Sequence, residues 1–249
     1  DTMVPRFQVV EYLRAFLMNR VANAHMNTLM LISGAFGLFR RSTLVEMGGY
    51  RHDTVGEDLE LVVRMHRHMR DQKRDYRIDF VPDIVCWTEA PAELDGLDNQ
   101  RARWQQGALE TLQRHRGMIL NPRYGRIGLL AMPQIVLEDI FGPPAELLGY
   151  LVLPAAALLG LLDPMMAVAF FFVSVVFGCV LSLGTLALEE QQLRRTPNAK
   201  DLLRLGAAAV LENFGYRQIN LWYRMAGIRR YFRNDTSWAA VPRVGLGKS

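Results

Sequence analysis

The sequence predicts an α/β domain followed by a helical membrane region. Half of the 249 residues are hydrophobic, and charged residues are frequent up to residue 126 but nearly absent from 127 to 188. In the first of these parts, helical patterns alternate with apolar runs that are typical of strands. We therefore divide the chain at residue 126 into a globular domain of mixed secondary structure and a membrane region.

Helices and strands are predicted in turn along the first part. Apolar residues recur at helical spacing from residue 5 to about 32, and this helix could pack on a core or lie in a membrane interface. The run 31–41, interrupted by two glycines, is typical of a strand whose backbone approaches another strand or a ligand. A capping-box pattern at 42–46 predicts a short helix. Residues 76–87 predict a second strand.

Two neighbouring carboxylates open the next predicted helix. Glu57 and Asp58 follow Gly56 and precede apolar residues at helical spacing that extend to about Met69. Carboxylates in a first helical turn complement the helix dipole, which would account for both residues structurally. A carboxylate placed here could instead act as a general base toward a bound hydroxyl group. Because adjacent side chains point in different directions, only one could be that base, and the other would orient it.

A second group of polar side chains lies on the helix predicted after the second strand. Gln100, Arg103, Trp104 and Gly107 are spaced to share one helical face, so an amide, a guanidinium and an indole project beside a position without a side chain. A guanidinium binds phosphate oxygens, an amide binds hydroxyl groups, and an indole covers the apolar face of a sugar ring. The face could form the floor of a ligand site, or it could be a surface helix anchored by one Trp.

These motifs, in this order and followed by apolar segments, resemble those of the family 2 inverting glycosyltransferases. The chain resembles the second half of their GT-A domain and, more narrowly, the processive membrane enzymes related to cellulose, hyaluronan and poly-N-acetylglucosamine synthases. The QxxRW motif of this family is matched by Gln100, Arg103 and Trp104. The acidic motif usually reads T/S-E-D, whereas Gly56 stands in its first position here.

The resemblance implies an activity and assigns roles to residues. A sugar would pass from a nucleotide-sugar donor, expected to be a UDP-sugar, to a saccharide or lipid-linked acceptor. Asp58 would be the catalytic base, supported by Glu57, and Ser33 and Gly34 would border the acceptor site. In the QxxRW motif, the amide and the guanidinium would hold the nucleotide diphosphate or the acceptor end, and the indole would stack on the acceptor sugar.

The same resemblance implies a metal site that this sequence does not supply. Enzymes of this family carry, earlier in the chain, a nucleotide-binding half and a D-x-D motif that holds a divalent metal, Mg²⁺ or Mn²⁺. No D-x-D motif occurs in this sequence. We therefore expect the metal ligands to lie outside this chain, and the chain to be a fragment that is inactive by itself.

The apolar part is predicted to contain two spans. Residues 165–188 carry no charge and exceed the roughly 20 residues of helix that cross a bilayer, and 145–162 is predicted as the partner span. Residues 127–143 include a proline and two acidic residues, which favours an interfacial helix. Residues 202–221 could be a third span or a surface helix. The arginines that follow favour a cytoplasmic tail, an even number of crossings and the surface helix.

The net charge and the cysteines help to distinguish between classes of function. A net charge of +4, with the basic residues next to apolar segments, indicates a lipid bilayer as partner and no nucleic acid. Two cysteines in dissimilar surroundings indicate no disulfide or zinc framework. The main hypothesis is a multi-pass glycosyltransferase of the inner or plasma membrane with a cytoplasmic catalytic part. The alternatives are an inactive membrane scaffold derived from such an enzyme, and a transporter or channel that uses the charges of the apolar part: Glu138, Asp139, Glu212 and Arg217.

Overall fold

A computed structural model describes residues 3–13, 19–32, 34–81, 86, 88–91, 93–193 and 198–235. These residues form helices joined by turns and extended segments. The helices are α1 (Met3–Leu13), α2 (Val21–His25), α3 (Arg41–Glu46), α4 (Glu57–Asp71), α5 (Leu94–Arg114), α6 (Ile127–Leu158), α7 (Pro164–Leu193), α8 (Ala199–Leu211) and α9 (Tyr216–Phe232).

The predicted α/β class is not confirmed, because no strand occurs among the described residues. In the segment predicted as the second strand, the backbone bonds to a side chain instead of a neighbouring strand. The Asn27 amide donates to the carbonyl of Tyr76 at 3.0 Å and accepts from the N–H of Ile78 at 3.1 Å. A strand requires a neighbouring strand to pair its N–H and C=O groups, and no such ladder is formed in the described parts of 31–41 and 76–87. Residues 82–85 and 87 lie outside the described residues.

The early helices differ in detail from the prediction. The helix expected from 5 to 32 is represented by α1 and α2, and residues 14–18 between them lie outside the described residues. The short helix at 42–46 is confirmed as α3, but its predicted capping box is wrong. The helix begins one residue earlier, after Arg40, and no side chain caps it. The hydroxyl residues therefore lie inside the first turn.

Helix α4 is held on two sides by apolar side chains, as its sequence pattern predicts. Leu61, Val62 and Val63 are completely buried. Glu60 on the same helix is also buried, and its carboxylate accepts from Arg64 at 3.0 Å and lies 3.3 Å from Nε2 of His115, just after α5. These contacts fix the helix that begins with Glu57 and Asp58. The largest core cluster joins α4 to α5 and α6 and consists of Met30, Val63, Leu112, Met118, Tyr124, Ile127, Ala131 and Met132.

Helix α6 is continuous where an interfacial helix at 127–143 and a span at 145–162 were predicted separately. Two stretches, Ile127–Ala131 and Val136–Phe141, have π-helical geometry, which accommodates an extra residue in a turn without ending the helix. Ile127–Leu158 and Pro164–Leu188 are both long and apolar enough to cross a membrane by length and composition. They are joined by a short turn in which the Asp163 carboxylate accepts from two N–H groups that open α7, at 2.9 and 3.0 Å.

The segment predicted as one helix at 202–221 belongs to two helices. Helix α8 ends at Leu211, and α9 begins after Gly215, whose φ of +99° favours glycine. Helix α8 packs on α1 through Val10, Ala208 and Ala209. Helix α9 packs along α5, so the C-terminal helix lies next to the QxxRW motif.

Candidate active site

Helices α4 and α5 touch through two glycines. A Cβ atom added to Gly56 would lie 2.8 Å from Cα of Gly107, and one added to Gly107 would lie 2.6 Å from Cα of Gly56. Both distances are shorter than a van der Waals contact, so neither position has room for a side chain. Gly107 is one of the four residues of the predicted motif face, and the backbone of Gly56 fills the space beside it. The contact sets the start of α4 against the QxxRW helix.

The loop that leads into α4 is fixed by a carboxylate from α5. Glu110 Oε2 accepts from the Thr54 hydroxyl at 2.8 Å and from the N–H of Val55 at 3.0 Å. Its Oε1 accepts from the Gln106 amide at 2.9 Å. Glu110 thus holds the two residues that precede Gly56. Sequence reasoning missed it, because a single glutamate in an amphipathic helix carries no distinguishing pattern.

Asp58 is the member of the acidic pair that turns toward the site. Its Oδ1 accepts from the N–H of Leu59 at 2.8 Å, and its Oδ2 lies 3.4 Å from where a Cβ of Gly34 would be. The carboxyl group is half-buried, whereas Glu57 is exposed. The structure thus places Gly34 next to Asp58, while Ser33 lies outside the described residues.

The surroundings of Asp58 change its basicity. Burial raises the pKa of the Asp58 carboxyl above its ordinary value, and the negative charge of Glu57 adds to this rise. The Leu59 N–H bond and the Arg103 guanidinium lower the pKa in part. A carboxylate with a raised pKa is a stronger base, which suits the removal of a proton from a hydroxyl group.

Gln100 and Arg103 present polar atoms that the described residues leave unbonded. Gln100 Oε1 and Arg103 Nε are both buried and lack a hydrogen-bond partner there. A buried polar atom without a partner costs about 1–3 kcal/mol, so such atoms commonly mark a place where a ligand or water binds. Arg103 also acts electrostatically on Asp58. Gln100 Oε1 and Arg103 Nε are therefore available for a further hydrogen bond, and the guanidinium lies within electrostatic reach of the Asp58 carboxylate.

Trp104 is supported on one side and open on the other. Its side chain is 43% exposed, and the Arg101 guanidinium lies 4.5 Å from the centre of its ring system. Arg101 is itself only 6% exposed and bonds to Glu11 at 2.8 Å, which also accepts from the Tyr216 hydroxyl at 3.1 Å. The exposed part of the indole is free to stack on a flat ligand. Arg101 was missed, although its spacing of three residues before Trp104 predicts contact on a helix.

Two further residues outside the motifs face the same carboxylate. Burial lowers the pKa of Arg20 to about 10, while the charge of Asp58 opposes this fall. Burial also raises the pKa of Tyr50, and Asp58 and Glu57 raise it further. Arg20 therefore remains a cation at neutral pH. Neither residue belongs to a recognisable motif, and only the fold brings them to Asp58.

The described residues do not form the divalent metal site that the resemblance implies. Among them, no three His, Cys, Asp or Glu side chains are grouped so that they could hold a metal ion. The donor set needed by Mg²⁺ or Mn²⁺ is thus not assembled in this part of the chain.

A family model and curated relatives match parts of this chain. A family model described as glycosyl transferase family group 2 matches residues 3–188. The poly-beta-1,6-N-acetyl-D-glucosamine synthase of Staphylococcus aureus is 29% identical over 136 residues, which are 55% of this chain and 32% of the relative. The enzyme of that name from Staphylococcus epidermidis is 30% identical over 114 residues, 46% of this chain and 26% of the relative.

The matched region spans about a third or less of these curated relatives. No solved structure matches the chain. The family model nevertheless covers most of the chain, including Asp58 and the QxxRW motif, and the predicted resemblance is confirmed. The chain belongs to glycosyl transferase family group 2.

Proposed function

We propose that this chain forms the acceptor side of a membrane-bound inverting glycosyltransferase. In this proposal, the enzyme transfers a sugar from a nucleotide-sugar donor, expected to be a UDP-sugar, to a saccharide or lipid-linked acceptor. The observation that carries the proposal is the position of Asp58, half-buried at the start of α4, beside Gly34 and within the electrostatic reach of Arg103. The names of the matched relatives make N-acetylglucosamine the first sugar to test.

Asp58 would act as the general base of this transfer. It takes the proton from an acceptor hydroxyl as that oxygen attacks the anomeric carbon of the donor sugar. The bond from this carbon to the diphosphate oxygen breaks, and the nucleoside diphosphate leaves with the electron pair, so the configuration at the carbon is inverted. The exposed charge of Glu57 supports Asp58 by raising the pKa of the base.

The QxxRW residues would bind and orient the reacting groups. Arg103 provides positive charge for the departing diphosphate or for the acceptor end, because a guanidinium forms paired bonds to phosphate oxygens. Gln100 Oε1 can accept a bond from a sugar hydroxyl. Trp104 offers its exposed side to the apolar face of the acceptor sugar. A divalent ion held by residues beyond those described here would add further positive charge at the diphosphate.

The apolar helices would place this site at the surface of a bilayer. We propose that α6 and α7 cross the inner or plasma membrane and that α4 and α5 remain on the cytoplasmic side. The length and composition of Ile127–Leu158 and Pro164–Leu188 support this arrangement. Their apolar side chains are largely exposed in the chain alone, as lipid-facing side chains are.

Three of the four charges considered for a transporter are engaged in contacts between helices, and the fourth, Glu138, accepts from the Gln134 amide of its own helix at 2.9 Å. Arg217 bonds to Glu146 at 2.7 Å, and Glu212 accepts from the Ser182 hydroxyl at 2.5 Å. Asp139 bonds to Arg224 at 2.9 Å. These pairs account for the charges without a transport path, so no observation favours the transporter hypothesis.

The proposal is tested by replacing Asp58 in the complete gene product. Membranes that contain the parent, Asp58→Asn or Asp201→Asn are supplied with UDP-N-acetylglucosamine and other UDP-sugars, and sugar transfer is measured. Loss of the general base is expected to reduce transfer by at least about 100-fold. Asp201 provides a matched control, since it is also an aspartate in a first helical turn but pairs with Arg204 on the surface.

Two results would contradict the proposal. Transfer by Asp58→Asn at the rate of the parent would remove Asp58 from its role. An inactive parent with every UDP-sugar supplied would favour the membrane scaffold instead.

A further inference from the structure

Helix α9 packs against the segment of α5 that carries the QxxRW motif. A Cβ atom added to Gly227 would overlap the carbonyl oxygen of Ala102 and lie 2.7 Å from Cβ of Gln105. The two helix backbones therefore meet at this point without an intervening side chain. Ala102 is completely buried and lies between Gln100 and Arg103 in the sequence. Helix α9 therefore packs directly against the helix segment that carries the proposed binding residues.

Arg224 of α9 joins α5 to α6 by three hydrogen bonds. Its Nε donates to Gln105 Oε1 at 2.7 Å, and its Nη2 donates to the carbonyl of Glu138 at 2.6 Å and to Asp139 Oδ1 at 2.9 Å. The Gln105 amide also donates to the carbonyl of Asp139, and Gln105 is only 3% exposed. One guanidinium thus connects the residue after the motif to a π-helical stretch of α6.

The chemistry of this junction is specific to arginine. A guanidinium presents several donors in a fixed plane, whereas a lysine ammonium cannot reach an amide, a carbonyl and a carboxylate in the same geometry. A second bond, from Arg230 to Asn99 at 3.0 Å, holds α9 to the start of the motif. Arg229 lies on the same helix but is exposed. Arg224 also lies beyond residues 3–188, the part that the family model matches.

We propose that Arg224 is a positioning residue of the acceptor site. By fixing α5 relative to α6, it sets the places of Gln100, Arg103 and Trp104 against Asp58 and couples the apolar helices to the site. The inference rests on the proposed function and adds to it a residue that does not touch the substrates. A displacement of about 1 Å in a binding group can reduce a rate about 100-fold, so a small shift of α5 is sufficient.

The first test compares three variants of the complete gene product in membranes: Arg224→Gln, Arg224→Lys and Arg229→Gln. The donor is UDP-N-acetylglucosamine, and the acceptor is a β-1,6-linked N-acetylglucosamine oligosaccharide. We expect Arg224→Gln to lower kcat/KM for the acceptor by about 10-fold to 100-fold, with a rise in the acceptor KM. Arg224→Lys is expected to be intermediate because it keeps the pair with Asp139. Arg229→Gln should match the parent.

The second test does not depend on activity. Hydrogen exchange is measured in the same three variants in lipid nanodiscs, on peptides that cover residues 99–107 and, as an internal control, residues 59–69 of α4. We expect faster exchange in 99–107 for Arg224→Gln and no change for Arg229→Gln. Unchanged exchange in 59–69 would show that the variant is folded.

Together the two tests separate the inference from the proposed function. Unchanged exchange at 99–107 in Arg224→Gln would overturn the positioning role, as would faster exchange with an acceptor KM equal to that of the parent. A folded Arg224→Gln that affects the KM no more than Arg229→Gln does would also overturn it. If Asp58→Asn retains full transfer, the proposed function fails, and the exchange data still decide whether Arg224 holds α5.

Discussion

Asp58 is subject to opposing influences on its charge. Burial and the nearby Glu57 raise the pKa of its carboxyl group, while Arg103 and the Leu59 N–H lower it. A general base must lose its proton to work, but it is a stronger base when its pKa is high. In the proposed mechanism Arg103 therefore has two effects, because it would provide charge for a ligand and it keeps Asp58 ionised over a wider range of pH.

The pH dependence of transfer follows from this balance. Since Asp58 acts only when ionised, kcat/KM should fall as the pH falls through the raised pKa of its carboxyl group. Arg103→Gln removes the positive charge that lowers this pKa, so the acid limb of the profile should move to higher pH in addition to any loss of rate. The measurement is the pH profile of kcat/KM for both proteins.

Arg229→Gln serves as the control for this profile, because it removes the same charge from an exposed position. An acid limb that stays at the same pH in Arg103→Gln would show that Asp58 is not the group that titrates.

At the scale of elements, the contact between α4 and α5 depends on glycine at two positions. Gly56 stands where the resembled family usually has Ser or Thr, and the structure explains this departure by the proximity of Gly107. A hydroxyl side chain at residue 56 would collide with the backbone of α5. The acidic motif and the QxxRW motif are therefore linked by sterics as well as by chemistry.

Replacing Gly107 with alanine should separate the two helices. The added methyl group would lie 2.6 Å from Cα of Gly56, and overpacking of this kind costs about 1–3 kcal/mol in the free energy of unfolding. Thermal unfolding of the purified protein in detergent measures this loss. Gly149→Ala in α6 is the matched control, since its Cβ would meet nothing within 4 Å.

Alanine has a higher helix propensity than glycine, so the control is expected to unfold at the temperature of the parent or above it. Equal unfolding temperatures for Gly107→Ala and Gly149→Ala would contradict the steric account.

At the scale of the whole molecule, polar bonds connect the apolar helices to the rest of the chain. Glu146 of α6 bonds to Arg217 of α9, and Tyr150 of α6 accepts from the Gln218 amide at 2.8 Å. Near the other end of α9, Arg230 donates a hydrogen bond to Asn99 of α5. Helix α9 thus contacts both α6 and the helix that carries the QxxRW motif.

The proposed membrane arrangement can be tested with cysteines. Cys86 is exposed and Cys179 lies within α7. In a Cys179→Ser background, a membrane-impermeant maleimide should label Cys86 in inside-out vesicles but not in intact cells. Leu161→Cys, combined with serine at both native cysteines, places a thiol in the exposed turn after α6. We expect that thiol to be labelled in intact cells.

Labelling of both positions from the same side of the membrane would exclude the arrangement in which α6 and α7 both cross it. The two variants therefore test the spans and the location of the site together.

The sequence predicted those features that depend on local spacing. The helix that begins at Glu57 and the motif face of Gln100 and Trp104 follow from periodicity, and the uncharged run of α7 follows from composition. The expected strands are not formed among the described residues, because strand formation depends on a partner that local sequence does not specify. The residues Arg20 and Tyr50 could not be predicted either, since only tertiary packing brings them near Asp58.

The position of α9 against α5 has a consequence for how the site is completed during synthesis. A ribosome produces α5 first, then both apolar helices, and α9 only afterwards. The contacts of Gly227 and Arg224 with α5 therefore form only after the apolar hairpin has left the ribosome. A chain that stops after α7 carries both the acidic motif and the QxxRW motif. In such a chain, the side of α5 that contains Ala102 and Gln105 is not covered by α9.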